Sequence, residues 1–149
     1  PAERITGLRG NLERYFAHEG HAPQIASESA QQVLNELLGA LQSEHGRWLL
    51  GHHDAAECEL PMSSLDTDTP SAHSHHVIDR TFIYEGVRWI IDYKTHHASG
   101  PETIPDQALE TLATSYKPQL ERYAALFTSE GLKIRTAIFF PSHGKLIEV

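Results

Sequence analysis

The sequence predicts an α/β or α+β fold, a sheet flanked by helices. Three observations predict it. Apolar residues recur at helical spacing between about residues 23 and 44, the period drops to two between 77 and 95, and a helical stretch over 106–130 precedes two further strand-like segments. The resulting order is helix, helix, three strands, helix, two strands.

Taken in order, residues 4–18 carry Ile5, Leu8, Leu12 and Phe16 at helical spacing, with Gly10 weakening the helix. Ala30, Val33, Leu34, Leu37, Leu38 and Leu41 then mark one buried face of a second helix, with Gly46 as its expected stop. Residues 55–62, ending near Pro61, read as a strand close to a sheet edge, and residues 63–74 as a loop. Segments 77–84 and 87–95 are rich in β-branched and aromatic residues, and Glu85-Gly86 between them reads as a tight turn, so they form a β-hairpin. Residues 98–105 read as a loop. In the helical stretch 106–130, Pro118 is expected to open a second helix and Gly131 to close it. Residues 134–140 and 146–149 complete the strands.

The 149 residues, 40% of them hydrophobic, suffice for one core, so a single domain spanning 1–149 is expected. The single cysteine, Cys58, excludes an internal disulfide, and with no cysteine cluster for zinc it points to a reducing, cytoplasmic compartment. No apolar run approaches the roughly 20 residues of a membrane span, so no membrane partner is expected. A start at Pro1 rather than Met points to a piece of something longer. The formal net charge of −8 runs against nucleic-acid binding, although a bound cation or a basic neighbouring domain would offset it. Several of the eleven histidines cluster, at 52–53, at 73, 75 and 76, and at 96–97. Their irregular spacing and the lack of cysteine partners make a transition-metal-binding domain the weakest reading.

The hairpin carries the chemistry. In a hairpin turning at Glu85-Gly86, opposed residues have numbers that sum to 171, which sets Asp79 across from Asp92 with Cβ atoms about 5 Å apart. Two opposed carboxylates repel, and a hard divalent cation such as magnesium turns that repulsion into ligation. Lys94, two residues beyond Asp92, projects to the same face. There an ammonium would orient or help deprotonate a water attacking a phosphodiester and stabilise charge on the phosphorus. Val87, Trp89, Ile91 and Tyr93 alternate to the opposite face, where they are expected to anchor the strand in the core.

Val-Ile-Asp at 77–79, Trp-Ile-Ile-Asp-Tyr-Lys-Thr at 89–95 and Tyr-Lys-Pro-Gln-Leu-Glu-Arg-Tyr at 116–123 resemble the RecB-type branch of the PD-(D/E)XK nucleases. The resemblance runs from about Glu57 to Phe140. It implies a restriction-endonuclease-like α/β fold, a mixed central sheet flanked by helices, as the C-terminal nuclease domain of a UvrD-like helicase-nuclease. It also implies Mg²⁺ or Mn²⁺ as cofactor and DNA as partner, delivered as single strands by a helicase domain of the same chain. Carried over by residue, Asp79, Asp92 and the Tyr93 backbone carbonyl would hold the metal and Lys94 would be the catalytic lysine. Gln119 and Tyr123, one helical turn apart, would support the site or touch DNA. Glu59 resembles an acidic position on the first strand of the family, and a cross-strand ion pair is its alternative. Two departures stand out: no Gly-Thr-x-x-His segment precedes the first strand, and His76 occupies a position that is often glycine in the family. His76 would either narrow the site or add a ligand. A non-catalytic structural or DNA-guiding module of a repair complex is the alternative function.

Overall fold

The computed structural model describes residues 7–65, 73–95 and 105–149, with side chains described except at 63–65 and 73–76. The chain divides into two compact units. One comprises the residues up to Leu50 with Pro141–Lys145, the other Gly51–Phe140 with Leu146–Val149.

The first unit is helical: α1 (Arg9–His18), α2 (Pro23–Gln42) and α3 (Glu44–Leu49), with a 3₁₀ turn at Pro141–His143. The buried stripe of α2 consists of Ala26, Ala30, Leu34 and Ala40, so it is narrower and made of smaller residues than the leucine face read from the sequence. Leu37 is exposed. Glu13 of α1 accepts from Ser27 of α2 at 3.0 Å and pairs with Arg9 at 3.0 Å, which ties the two helices together. The expected stop at Gly46 is corrected: α2 ends at Gln42, and Gly46 lies inside α3. Ser43 caps α3 by accepting from Gly46 N at 2.9 Å. A Cβ at Gly46 would stand 1.9 Å from the Ala40 carbonyl oxygen, so this glycine permits a close approach of backbones.

The second unit holds most of a five-stranded sheet of order β1-β2-β3-β4-β5, with β1 Asp54–Leu65, β2 His73–Tyr84, β3 Val87–Tyr93, β4 Lys133–Phe140 and β5 Lys145–Glu148. Strands β1, β2 and β3 pair antiparallel while β3 and β4 pair parallel, so the sheet is mixed. The parallel pair needs a crossover, and α4 (Asp106–Ser115) and α5 (Lys117–Ala125) lie on it. Pro118 sits in the first turn of α5, and Gly131 adopts the left-handed conformation (φ 69°) after a 3₁₀ turn at Thr128–Glu130. Residues 63–65 and 73–74, read from the sequence as loop, extend the β1–β2 ladder (Ser64↔Ser74, Leu65↔His73). Ladder hydrogen bonds are made by the backbone, so a polar run can hold strand geometry without an apolar pattern to announce it.

The main core joins Ile78, Ile90, Ile138 and Phe140 of the sheet to Leu109, Ala113, Leu120 and Tyr123 of the helices. All five residues from Arg88 to Asp92 are buried, so β3 is covered on both faces. Trp89 and Ile91 are buried as expected of the face opposite the site, and the site face is covered as well. Ile90 precedes Asp92 by one strand period and lies in the main core, so the candidate site continues a core row. Arg88, 5% exposed, is satisfied by a bidentate pair with Glu130 (2.9 and 2.6 Å) and by the Ala55 carbonyl at 3.3 Å.

Candidate active site at the carboxyl end of the third strand

The hairpin register places the site. Strands β2 and β3 pair from Tyr84↔Val87 to Arg80↔Ile91, every pair summing to 171, and the turn at Glu85 (φ 50°) and Gly86 (φ 73°) has the left-handed geometry of a two-residue hairpin loop. The paired register ends there, one residue short of the expected opposition of Asp79 and Asp92. Beyond Arg80 the carboxylate of Asp79 enters the ladder itself: its Oδ2 accepts from Tyr93 N at 2.7 Å. On the other side of β3, Lys94 N donates to the Phe139 carbonyl at 3.0 Å, extending the β3–β4 pairing past Tyr93↔Phe139. Asp92, Tyr93 and Lys94 thus lie at the carboxyl end of β3 beside that of β4, the end of a parallel pair at which α/β sheets commonly present binding sites.

Asp92 is the centre of the cluster. It is 3% exposed, and Lys94 Nζ stands 2.7 Å from its Oδ2. Gln119 Nε2 of α5 approaches its Oδ1 at 3.4 Å and donates to Tyr123 Oη at 2.8 Å. Apart from the ammonium counter-charge, Oδ2 receives no well-directed hydrogen bond and is shielded from solvent. Burial lifts the Asp92 carboxyl above the ordinary carboxylate range; Lys94 pulls it down, and the charge of Asp79 pushes it up. Partial burial works against the Lys94 charge, but Asp92, Tyr116 and Asp79 outweigh it and hold the ammonium above the ordinary lysine value. The Lys94 ammonium also lies 4.6 Å from the centroid of the Tyr116 ring, at the junction of α4 and α5.

The structure therefore brings together Asp92, Lys94 and Gln119, with Tyr123 behind Gln119 and Asp79 on the neighbouring strand. The ring of Tyr93 packs edge-on to Phe139 at 6.1 Å, and burial pushes its phenol up to about 12. Glu59 is exposed at a φ of 50°, and its position is missing from a ladder that pairs both its neighbours. Tyr116 is the residue that sequence reasoning left without a role. It stood inside the segment quoted at 116–123, but its meeting with Lys94 depends on the crossover from β3 to β4 and has no sequence spacing to reveal it.

Asp79, Asp92 and the Tyr93 carbonyl would supply a cation with oxygen donors alone, the set suited to magnesium or manganese. A buried carboxylate oxygen without a directed donor fits such an ion. Among the described residues, no three His, Cys, Asp or Glu side chains converge as a ready-made metal cluster. His53 stacks on Phe82 at 4.1 Å. His96 and His97, and the side chains of His73, His75 and His76, lie outside the described residues, as does the 98–104 part of the expected loop. Among the described residues, no helix is long and apolar enough to cross a membrane. No protein-family model matches the chain, and no curated protein matches it in sequence.

Proposed function

We propose that the chain is a metal-dependent deoxyribonuclease domain with the restriction-endonuclease-like fold of the RecB-type PD-(D/E)XK nucleases, working beside a helicase that delivers single strands. One observation carries this reading. A buried aspartate at a strand end is met by a lysine two residues on, by a glutamine from the crossover helices and by a second aspartate on the adjacent strand. A surface hairpin has no reason to bury a carboxylate, since the desolvation cost of a buried ion pair is seldom repaid in stability. The mixed sheet and its flanking helices support the fold assignment at a coarser level.

In this reading Asp79, Asp92 and the Tyr93 carbonyl hold Mg²⁺ or Mn²⁺, which supplies Lewis-acid stabilisation of the phosphate and a positioned water. Water oxygen would form a bond to phosphorus as one proton of that water passes to bulk solvent, one bridging P–O bond to a sugar would break, and the departing alkoxide would take a proton from solvent. In the resting structure Lys94 is the counter-charge of Asp92, 2.7 Å from its Oδ2. Its part is to donate hydrogen bonds to the water or to a phosphoryl oxygen and to oppose the charge that builds there. Gln119, anchored on Tyr123, fixes the Asp92 carboxylate in orientation.

The cation dependence of single-stranded DNA cleavage tests the proposal. Magnesium and manganese support cleavage, whereas calcium binds without efficient turnover because its looser coordination positions water poorly. Magnesium affinity, measured by calorimetry, falls on the order of millimolar for so few ligands. Cleavage unchanged in excess chelator would overturn the metal dependence, cleavage unchanged in a folded Asp92→Ala variant would overturn this site, and no cleavage with any of these cations would mean a structural or DNA-guiding module instead.

A further inference from the structure

The ion pair between Lys94 and Asp92 raises a difficulty for any reading in which Asp92 binds a cation. In the resting site the ammonium stands 2.7 Å from Asp92 Oδ2, the oxygen a cation would take. Once that oxygen is taken, a flexible lysine, 27% exposed in its side chain, would lose its anchor and swing into solvent, where it can orient nothing. A second anchor is present. The ammonium already lies 4.6 Å from the centroid of the Tyr116 ring, within the range of attraction between a cation and an aromatic face. The ring is itself fixed. Tyr116 is half-buried and packs against the main core, its N–H donates to Ala113 O at 3.0 Å, and its carbonyl accepts from Gln119 N and Leu120 N at 3.0 and 3.1 Å. The same short segment that carries Gln119 to Asp92 carries this ring to Lys94.

We infer that Tyr116 is the positioning residue for Lys94, its ring face keeping the ammonium at the site when Asp92 turns to a cation. The inference rests on the nuclease reading for its consequence in catalysis, but the placement itself can be tested without turnover. The attraction belongs to the ring face and not to the hydroxyl, so phenylalanine substitutes for tyrosine and leucine does not. Removing an interaction made only in the transition state lowers kcat and kcat/KM equally and leaves KM alone.

The test uses Tyr116→Leu and Tyr116→Phe in the full chain, compared by two readouts. In nuclear magnetic resonance spectra, the Lys94 Cε protons of the unsubstituted protein are displaced upfield by the ring, and the displacement persists on titration with magnesium. Tyr116→Phe keeps it and Tyr116→Leu abolishes it. In single-stranded DNA cleavage, Tyr116→Leu lowers kcat about tenfold with KM for DNA and magnesium affinity unchanged, and Tyr116→Phe restores most of the rate. A ring-current displacement that vanishes when magnesium binds overturns the inference. So does a Tyr116→Leu variant with full kcat, or a Tyr116→Phe variant as slow as Tyr116→Leu. If the unsubstituted protein cleaves no DNA, the nuclease reading fails, and the magnetic resonance arm alone still decides whether the ring holds the ammonium.

Discussion

Asp92 and Tyr93 are neighbours with opposite electrostatic problems. Asp92 is buried on the helix-covered face and balanced by Lys94, while Tyr93 turns its ring to the other face of the sheet and loses solvent around its hydroxyl. The second case yields a pH prediction. The Tyr93 phenol stands at about 12 in the folded chain, against about 10 for an unfolded tyrosine. A raised value means that the folded state favours the protonated form, so the contribution to stability is complete below about pH 10 and is lost as pH rises toward 12. Urea unfolding between those pH values should show a loss of stability that Tyr93→Phe lacks; equal losses in the two proteins would contradict this placement of the phenol. The hairpin register was legible in the sequence because it is arithmetic: once Glu85-Gly86 is the turn, the pairs from Tyr84↔Val87 to Arg80↔Ile91 follow, and the expected Asp79–Asp92 opposition is the next step of the same sum. Burial of the site face was not legible, although that of Trp89 and Ile91 on the opposite face was. The period of two assigns sides but does not say whether both are covered, and β3 is buried on both because it is a central strand with a parallel neighbour.

At the scale of elements, local rules located the hairpin, the long second helix and the break at Pro118, each of which has a short-range cause. They failed where the cause was long-range. Gly46 has the chemistry of a helix stop, yet its position is set by contact: α3 folds back so closely on the end of α2 that a methyl group would overlap the Ala40 carbonyl. Gly46→Ala should therefore destabilise the chain by about 2 kcal/mol or more, far from the few tenths to 1 kcal/mol that Gly-to-Ala gains at a permissive helical position. Thermal unfolding measures this, and an unchanged or raised midpoint would contradict the close packing. The tail of the β1–β2 ladder was missed for a related reason, because Ser63, Ser64, His73 and Ser74 carry no strand period and are held by pairing across the sheet. Gln119 and Tyr123 were visible as a same-face pair, but which strand they face is decided by the crossover from β3 through α4 and α5 to β4.

Across the whole molecule, a helical unit and a sheet unit share a chain with a net charge of −8. So acidic a chain has little means of holding DNA through phosphate contacts of its own, and in the proposed function affinity comes from the bound cation and from the helicase that feeds the strand. What distinguishes an enzyme from a guiding module is then not DNA retention but the consequence of losing one ammonium. The decisive measurement is single-stranded DNA cleavage by Lys94→Ala at saturating manganese, with cation binding followed in parallel by calorimetry. In the proposed function Lys94 would not be a ligand and would compete with the cation for Asp92 Oδ2, so the account predicts cation binding retained or tightened and cleavage reduced at least a hundredfold, the scale of losing one transition-state donor, roughly 10² to 10³. A folded Lys94→Ala protein that binds manganese and cleaves at the rate of the unsubstituted chain would contradict it.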